Sequence, residues 1–440
     1  MKVFNKREPF ILFLGDFVVF FAALWCALAL RYGALPSQEL IGIHMLPFGI
    51  LFMLWVFAFF IAGLYEKHTL VFKGKLPLLI LNTQIINSIV AVIFFYLLPI
   101  SGVTPKTVLV LHLGVFFIFF VSWRMVLAKW LGVRSQEKAL LVGAGPEMSE
   151  LQHEVNNNVR SRLVFTKSID VSLLQSGEVL RQIMQSVQDG VDVVVLDHSV
   201  VLPTLVPIYE SGIKLVAMSD VYEEVFDRVP LSSVDYKWFL EYGSSSAHML
   251  YDSTKRFIDV TAASILGTLS LIVYPFVALA IKLEDGGPVF IVQERIGYGG
   301  QSIFLWKFRS MRSSDQGVWL TENDNRVTKV GKILRQSRID ELPQLWNVVR
   351  GDISLIGPRP DIIGLGKELI EKLPYYTMRT LIKPGLSGWA QLKQELPPQS
   401  LEETRLRLAY DLYYLKNRSM LLDIVIALKT VKVLLSRTGL

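Results

Sequence analysis

The chain has 440 residues, a net charge of +6 and a mean hydropathy of +0.41, and 52% of its residues are hydrophobic. That length leaves room for two or three domains, and the apolar share excludes a purely soluble architecture, because soluble domains rarely carry so much apolar surface without membrane spans. The modest positive charge suits phosphates or lipid headgroups and does not point to nucleic acid, and the lone Cys26 excludes an internal disulfide or a cysteine-based metal site.

Four apolar runs fill the first third: Pro9 to Leu30, Met45 to Leu64, Leu76 to Leu98 and Val108 to Leu131. Each is close to the roughly 20 residues that cross a bilayer as a helix. None is followed by a signal-peptidase pattern, so all four are expected to be retained. Basic residues sort by side. Lys2, Lys6 and Arg7 precede the first run, Lys67, Lys73 and Lys75 separate the second and third, and Arg124, Lys129, Arg134 and Lys138 end the fourth. The other two loops hold Arg31 and Lys106. The positive-inside rule then predicts a cytoplasmic N-terminus and a cytoplasmic chain after Lys138.

From Lys138 to about Tyr242 the pattern is α/β. "KALLVGAG" reads as a buried strand entering a glycine turn, and "VDVVVLDH" and "GIKLVAMSD" read as two further strands between helical stretches. This predicts a small Rossmann-like unit. Gly143 and Gly145 fit the glycine loop, whereas Met148 stands at the third glycine position and Pro146 removes an N–H. The unit is read either as a sugar-nucleotide or dinucleotide binder or, in preference, as a module that kept the fold and lost the ligand.

"GSSSAH" (Gly243 to His248) reads as a linker, followed by a 25-residue apolar stretch, Phe257 to Ile281. Lys255 and Arg256 flank one end and Lys282 the other, Asp259 sits near the start, and Pro275 interrupts the helix. Pro inside a helix removes a backbone bond and kinks it. A re-entrant hairpin that leaves the basic domain inside is preferred over a fifth span. At the far end, Leu421 to Leu435 is interrupted by Lys429 and Lys432, which suits a helix in the membrane interface or packed on the domain.

Between Arg295 and Arg359 basic residues recur with glycines, including Lys307, Arg309, Arg312, Arg326, Arg338 and Arg359. Arginine grips phosphate oxygens bidentately and glycine lets backbone N–H groups approach them. The same face could simply rest on anionic membrane lipid. Within it lies "RIDELPQLW", with Asp340 and Glu341 side by side. In isolation this window reads as an acidic helix start. Among phosphate-binding cations, a carboxylate can instead serve as a nucleophile in phosphoryl transfer and a second can hold a hard cation. Neighbouring arginines are expected to keep that nucleophile ionised. The Tyr-x-x-x-Lys spacing of Tyr251 and Lys255, found in short-chain dehydrogenases, lacks an intact glycine loop beside it.

The ordered run "KRFIDV…GGPVFIVQERIGYGGQSIFLWKFRSMR…IDELPQLWNVVRGDISLIGPRP…KPGLSGWAQ" resembles the bacterial sugar transferase family, the monotopic polyprenyl-phosphate phosphoglycosyl transferases, over about Lys255 to Leu440. With four spans and a degenerate Rossmann-like unit, the chain is similar to the large members that act with undecaprenyl phosphate. The resemblance implies a membrane protein of α plus α/β class. Its parts are a four-helix transmembrane domain (1–137), a Rossmann-like cytoplasmic domain (138–242) and a mainly helical catalytic domain (250–440) with a re-entrant helix over 257–281. It implies that Asp340 attacks the β-phosphate of a UDP-sugar with release of UMP, and that Glu341 helps bind Mg²⁺. Lys307, Arg309, Arg326, Arg338, Pro358 and Arg359 would bind substrate phosphate. Lys255, Arg256, Asp259 and Pro275 would lie at the membrane interface near the polyprenyl phosphate. The sugar phosphate would pass to undecaprenyl phosphate at the bacterial inner (cytoplasmic) membrane, initiating exopolysaccharide, capsule or O-antigen synthesis, in a protein expected to be a homodimer. Two departures stand out: Tyr274-Pro275 where many members have Ser-Pro, and Asn323-Asp324-Asn325-Arg326 where Asn-Asp-Pro-Arg is common. Two other readings stay open, a membrane-bound NAD-dependent nucleotide-sugar dehydratase or epimerase and a non-enzymatic membrane-anchored regulator.

Overall fold

The computed structural model describes residues 8–65, 76–97, 106–131, 136–158, 161–173, 176–198, 200, 206–242, 249–312, 326–394 and 396–436. The four apolar runs form helices α1 (Glu8–Tyr32), α2 (Gln38–Ile61), α3 (Leu76–Leu97) and α4 (Lys106–Leu131), each long and apolar enough to cross a membrane. Phe20, Phe48, Phe52, Trp55, Phe116 and Phe120 pack between them, while Leu14, Val18, Ile86 and Ile118 face outward, as expected of a bundle whose solvent is lipid. α2 begins ahead of its predicted start because Ser37 caps it, accepting from Leu40 N at 3.2 Å. Arg124, counted above as a topological charge, is instead buried in the bundle and paired with Asp16 at 2.5 Å. Of the other charges that carried the orientation, Lys2, Lys6, Arg7, Lys67, Lys73, Lys75 and Arg134 lie outside the described residues, as does the 243–248 linker.

The α/β unit runs β1 (Glu137–Gly143), α5 (Pro146–Asn157), β2 (Leu163–Asp170), α6 (Ser176–Gln188), β3 (Val193–Leu196), α7 (Val206–Glu210), β4 (Lys214–Ala217), α8 (Met218–Phe226) and α9 (Tyr236–Tyr242). Its four strands are parallel in the order β2-β1-β3-β4. Leu151, Val155 and Val221 cover one face and Val179, Ile183 and Ile208 the other, so β1 and β3 read as unbroken apolar runs. β2 escaped the sequence reading because it is an edge strand whose central Thr166, Lys167 and Ser168 are exposed. The last part of the range predicted for this unit departs from it. Val229, Val234 and Trp238 belong to the core of the C-terminal unit, beside Ile356, Trp389 and Leu412.

That unit starts with α10 (Met249–Ser270), which is followed by a three-residue turn and by α11 (Tyr274–Asp285), bent by 55° from it. The helix therefore begins before Phe257, and the break falls at 271–273, just ahead of Pro275 in the first turn of α11. Pro275 has no N–H to give Leu271, and its ring collides with a helical carbonyl there. The turn closes with shorter-range bonds, such as Val273 N to Ser270 O at 2.9 Å. Phe257, Ile272, Phe276 and Leu283 project outward, whereas Asp259, Ala263, Gly267 and Ser270 form a buried stripe. Gly267 lies against Trp346, whose ring a Cβ there would meet at about 3.4 Å, an ordinary van der Waals contact.

The chain continues through the antiparallel hairpin β5 (Phe290–Ile296) and β6 (Ser302–Phe308), then α12 (Lys329–Gln336) and α13 (Gln344–Arg350). It ends with β7 (Ser354–Ile356), α14 (Ile363–Lys372), β8 (Gly385–Ser387), α15 (Trp389–Lys393), α16 (Leu401–Asn417) and α17 (Met420–Ser436). β7 and β8 pair in parallel. α17 buries Ile426 in the domain core.

Candidate active site

The two acids lie between helices and not in the first turn of one. α12 ends at Gln336 with Ser337 as its C-cap, Arg338 turns the chain with φ of 56°, and Ile339 to Glu341 form a 3₁₀ turn that leads through Pro343 into α13. A non-glycine residue in the left-handed region is costly and persists only where its surroundings fix it. Asp340 is 7% and Glu341 9% exposed.

Their surroundings differ sharply. Glu341 Oε1 accepts from Arg359 at 2.8 Å and from Lys307 at 3.3 Å, and Arg338 lies 3.7 Å away. Asp340 Oδ1 is sealed from solvent with no hydrogen-bond partner. Burial opposes ionisation of Glu341, yet the charges of Arg359, Lys307 and Arg338 hold it well below the usual carboxylate range. Burial and the Glu341 charge push Asp340 up to about 6, against the pull of Lys307, Arg335 and Arg338. The arginines expected to keep Asp340 ionised do pull in that direction, and burial with the Glu341 charge outweighs their pull. Burial likewise lowers Lys307, assisted by Arg359 and opposed by Glu341. Two adjacent carboxylates with separated proton affinities can divide two roles.

The other predicted residues are placed as follows. Lys307 reaches the acid pair from β6, whereas Arg309, two residues on, pairs with Asp285 at the end of α11. Arg309 also lines a cavity of about 440 Å³, with Gln293, Arg295, Arg312 and Ile362 among its other walls. Arg326 accepts from Arg312 N through its carbonyl at 2.9 Å, and Asn323, Asp324 and Asn325 lie outside the described residues. Pro358 O accepts from Gly385 N at 2.9 Å and Gly357 N donates to Ser387 O at 2.8 Å, which ties the Pro-Arg-Pro loop to β8. A Cβ on Gly357 would sit 2.5 Å from Lys383 O, so this close approach requires glycine.

The residues predicted at the membrane interface are engaged by the domain. Arg256 donates to Val348 O at 2.6 Å and Val349 O at 2.8 Å, so it caps the carbonyl end of α13. Asp259 accepts from Ser354 Oγ at 2.6 Å and Leu355 N at 3.3 Å. Lys255 pairs with Asp423 at 2.8 Å, and Tyr251 Oη donates to the same carboxylate oxygen at 2.8 Å. The Tyr-x-x-x-Lys spacing is thus one helical face clasping α17. In the Rossmann-like unit a Cβ on Gly143 would sit 2.7 Å from Asp197 Cβ, and buried Met148 fills the space beside it.

Sequence reasoning missed a second charged cluster. Arg379 donates to Asp411 at 3.0 Å, to Asp361 and to Arg359 O at 2.9 Å, and Tyr376 Oη donates to Asp361 at 2.9 Å. Its signal was an Asp at a core position of the otherwise apolar "LAYDLYYL". For a metal, no group of three or more His, Cys, Asp or Glu among the described residues could hold an ion. Mg²⁺ commonly binds through one or two carboxylates plus substrate phosphates and water, a donor set to which Glu341 can contribute.

Residues 250–437 match the family model described as bacterial sugar transferase. The chain is 39% identical over 209 residues to a UDP-N-acetylgalactosamine-undecaprenyl-phosphate N-acetylgalactosaminephosphotransferase of Aeromonas hydrophila, covering 47% of this chain and 49% of that protein. It is 39% identical over 198 residues to a UDP-glucose:undecaprenyl-phosphate glucose-1-phosphate transferase of Caulobacter vibrioides, covering 44% of this chain and 74% of that protein. A longer match, 31% over 321 residues, joins 68% of this chain to 59% of an undecaprenyl-phosphate glucose phosphotransferase of Komagataeibacter xylinus. With an acid pair set among phosphate-seeking cations at the foot of a bent apolar helix pair, and with these similarities over the same residues, the chain belongs to the bacterial sugar transferase family.

Proposed function

We propose that the chain transfers a sugar 1-phosphate from a UDP-sugar to undecaprenyl phosphate in two covalent steps. The observation that carries this reading is the inequality of the acid pair: Glu341 Oε1 is held by Arg359 and Lys307, and Asp340 has a buried, unpartnered oxygen. In the first step Asp340 attacks the β-phosphorus of the donor. An Asp–phosphorus bond forms, the bond to the bridging oxygen breaks, and its electron pair leaves with UMP. In the second step a phosphate oxygen of undecaprenyl phosphate attacks the same phosphorus and frees the carboxylate. Lys307 and Arg359 neutralise phosphate charge. Mg²⁺, when bound with Glu341, would supply further neutralisation of the donor phosphates.

A carboxylate with a proton affinity near 6 is mostly ionised at neutral pH and gains nucleophilicity from its dry surroundings. In this reading the bent helix pair is a re-entrant hairpin, which keeps both of its ends on one side of the bilayer. That supports a cytoplasmic catalytic domain at the bacterial inner membrane, where nucleotide sugars are made, and a role initiating exopolysaccharide, capsule or O-antigen synthesis. The homodimer expected from the resemblance belongs to the same reading. Purified protein incubated with radiolabelled UDP-sugars should release UMP and retain a sugar-phosphate adduct until undecaprenyl phosphate is added. Asp340→Asn should abolish both; an adduct on that variant would refute the nucleophile.

A further inference from the structure

Arg407 stands unused by this mechanism. It lies on α16 one turn before Asp411, so the two side chains share a helix face. Asp411 Oδ2 is already held by Arg379, which also holds the carbonyl of Arg359. That chain of contacts links the Arg407 face of α16 to the loop that clamps Glu341. Arg407 Nε is sealed from solvent and has no hydrogen-bond partner. Burial and the nearby Arg379 charge lower Arg407 to about 10 against the pull of Asp411 and Asp361, and Arg359 acts in the same sense as Arg379. Lys307, Arg338, Arg359, Arg379 and Arg407 bring their positive charges to a cluster with the carboxylates Asp340, Glu341, Asp361 and Asp411.

A guanidinium N–H sealed from water without a hydrogen-bond partner costs stability unless something binds it. A guanidinium is shaped for phosphate oxygens, and the reacting phosphate already has Lys307 and Arg359. We infer that Arg407 binds the donor's other phosphate, the one that departs with the nucleoside as UMP. This inference rests on the donor reading given above. There Arg407 offsets the charge that collects on the leaving group as the bridging bond breaks.

The test uses the full chain in detergent or nanodiscs, with Arg407→Met, which keeps length and removes charge, and Arg407→Lys. UMP is the probe. Ligand-free Arg407→Met should unfold at the same temperature as the wild type or higher, and the upward shift that UMP gives the wild type should vanish. Its KM for the UDP-sugar should rise about ten- to hundredfold, the effect of losing a charged hydrogen bond, with KM for undecaprenyl phosphate unchanged. Arg407→Lys should recover part of the UMP shift. An unaltered UMP shift in Arg407→Met overturns the assignment while leaving the donor reading intact. So does a lower unfolding temperature with unchanged KM, the mark of a structural residue, or a rise confined to the KM for undecaprenyl phosphate. If the wild type neither binds nor releases UMP, the donor reading itself fails and takes this assignment with it.

Discussion

Arg359 donates to Glu341 at 2.8 Å, and that contact, with Lys307, leaves Asp340 as the acid of the pair without a partner for its inner oxygen. The Glu341 charge is one of the forces raising Asp340 to about 6. A raised carboxylate is protonated, and useless as a nucleophile, below its own pKa, so adduct formation should fall away as pH drops through about 6. Glu341→Gln removes the neighbouring charge while burial remains. Its acid limb should move to lower pH, and its rate on the plateau should fall by about 10- to 100-fold, because Lys307 and Arg359 lose their common anchor. Adduct yield measured between pH 5 and 8 checks both effects; an acid limb that stays in place would assign it to another group.

Asp259 joins the membrane segment to the domain through Ser354 and Leu355. Asp259→Ala leaves the Leu355 N–H without its acceptor and should cost about 1–3 kcal/mol, read as a lower thermal midpoint in detergent. Ser354→Ala should cost less, since Leu355 N still reaches the carboxylate. Equal and negligible effects would show that the contact contributes nothing to docking α10.

Much of this was legible in the sequence where the signal is local. The four spans, β1, β3 and β4 are continuous apolar runs, and Asp340 and Glu341 are neighbours in the chain. What could not be read was the inequality between those acids. It depends on Lys307 and Arg359 arriving from 34 and 18 residues away, both on Glu341. The Arg379–Asp411 pair spans 32 residues and leaves no local pattern. Arg124 misled for the converse reason. A cation at a helix end reads as a topological charge until its partner, 108 residues earlier, is known.

Pro275 sets the break between α10 and α11. Pro275→Ala restores the N–H and removes the steric conflict, so the 55° bend loses its cause. The pair should then straighten in a fraction of molecules into a continuous span, carrying the following domain to the other side. A reporter after Leu440 should be cytoplasmic in the wild type and partly exported in the variant, with transfer activity falling in proportion. Wholly cytoplasmic reporter in Pro275→Ala would mean that the buried stripe of α10, and not the proline, holds the hairpin.

The pair Asp16–Arg124 lies wholly inside the transmembrane bundle, where Tyr65 Oη also donates to Asp16 at 2.9 Å and Arg124 donates to Leu64 O at 3.0 Å. The desolvation cost of two buried charges roughly cancels their attraction, so the pair itself adds little stability, but each partner is intolerable alone. Arg124→Met strands the carboxylate and should destabilise the bundle by about 3–5 kcal/mol. Adding Asp16→Leu removes the stranded charge and should restore most of that loss. Recovery stays incomplete because Tyr65 Oη and Leu64 O each lose a partner. Thermal midpoints of the two single variants and the double variant, compared as a cycle, measure the coupling directly. Single variants that unfold with the wild type would indicate that water reaches the pair.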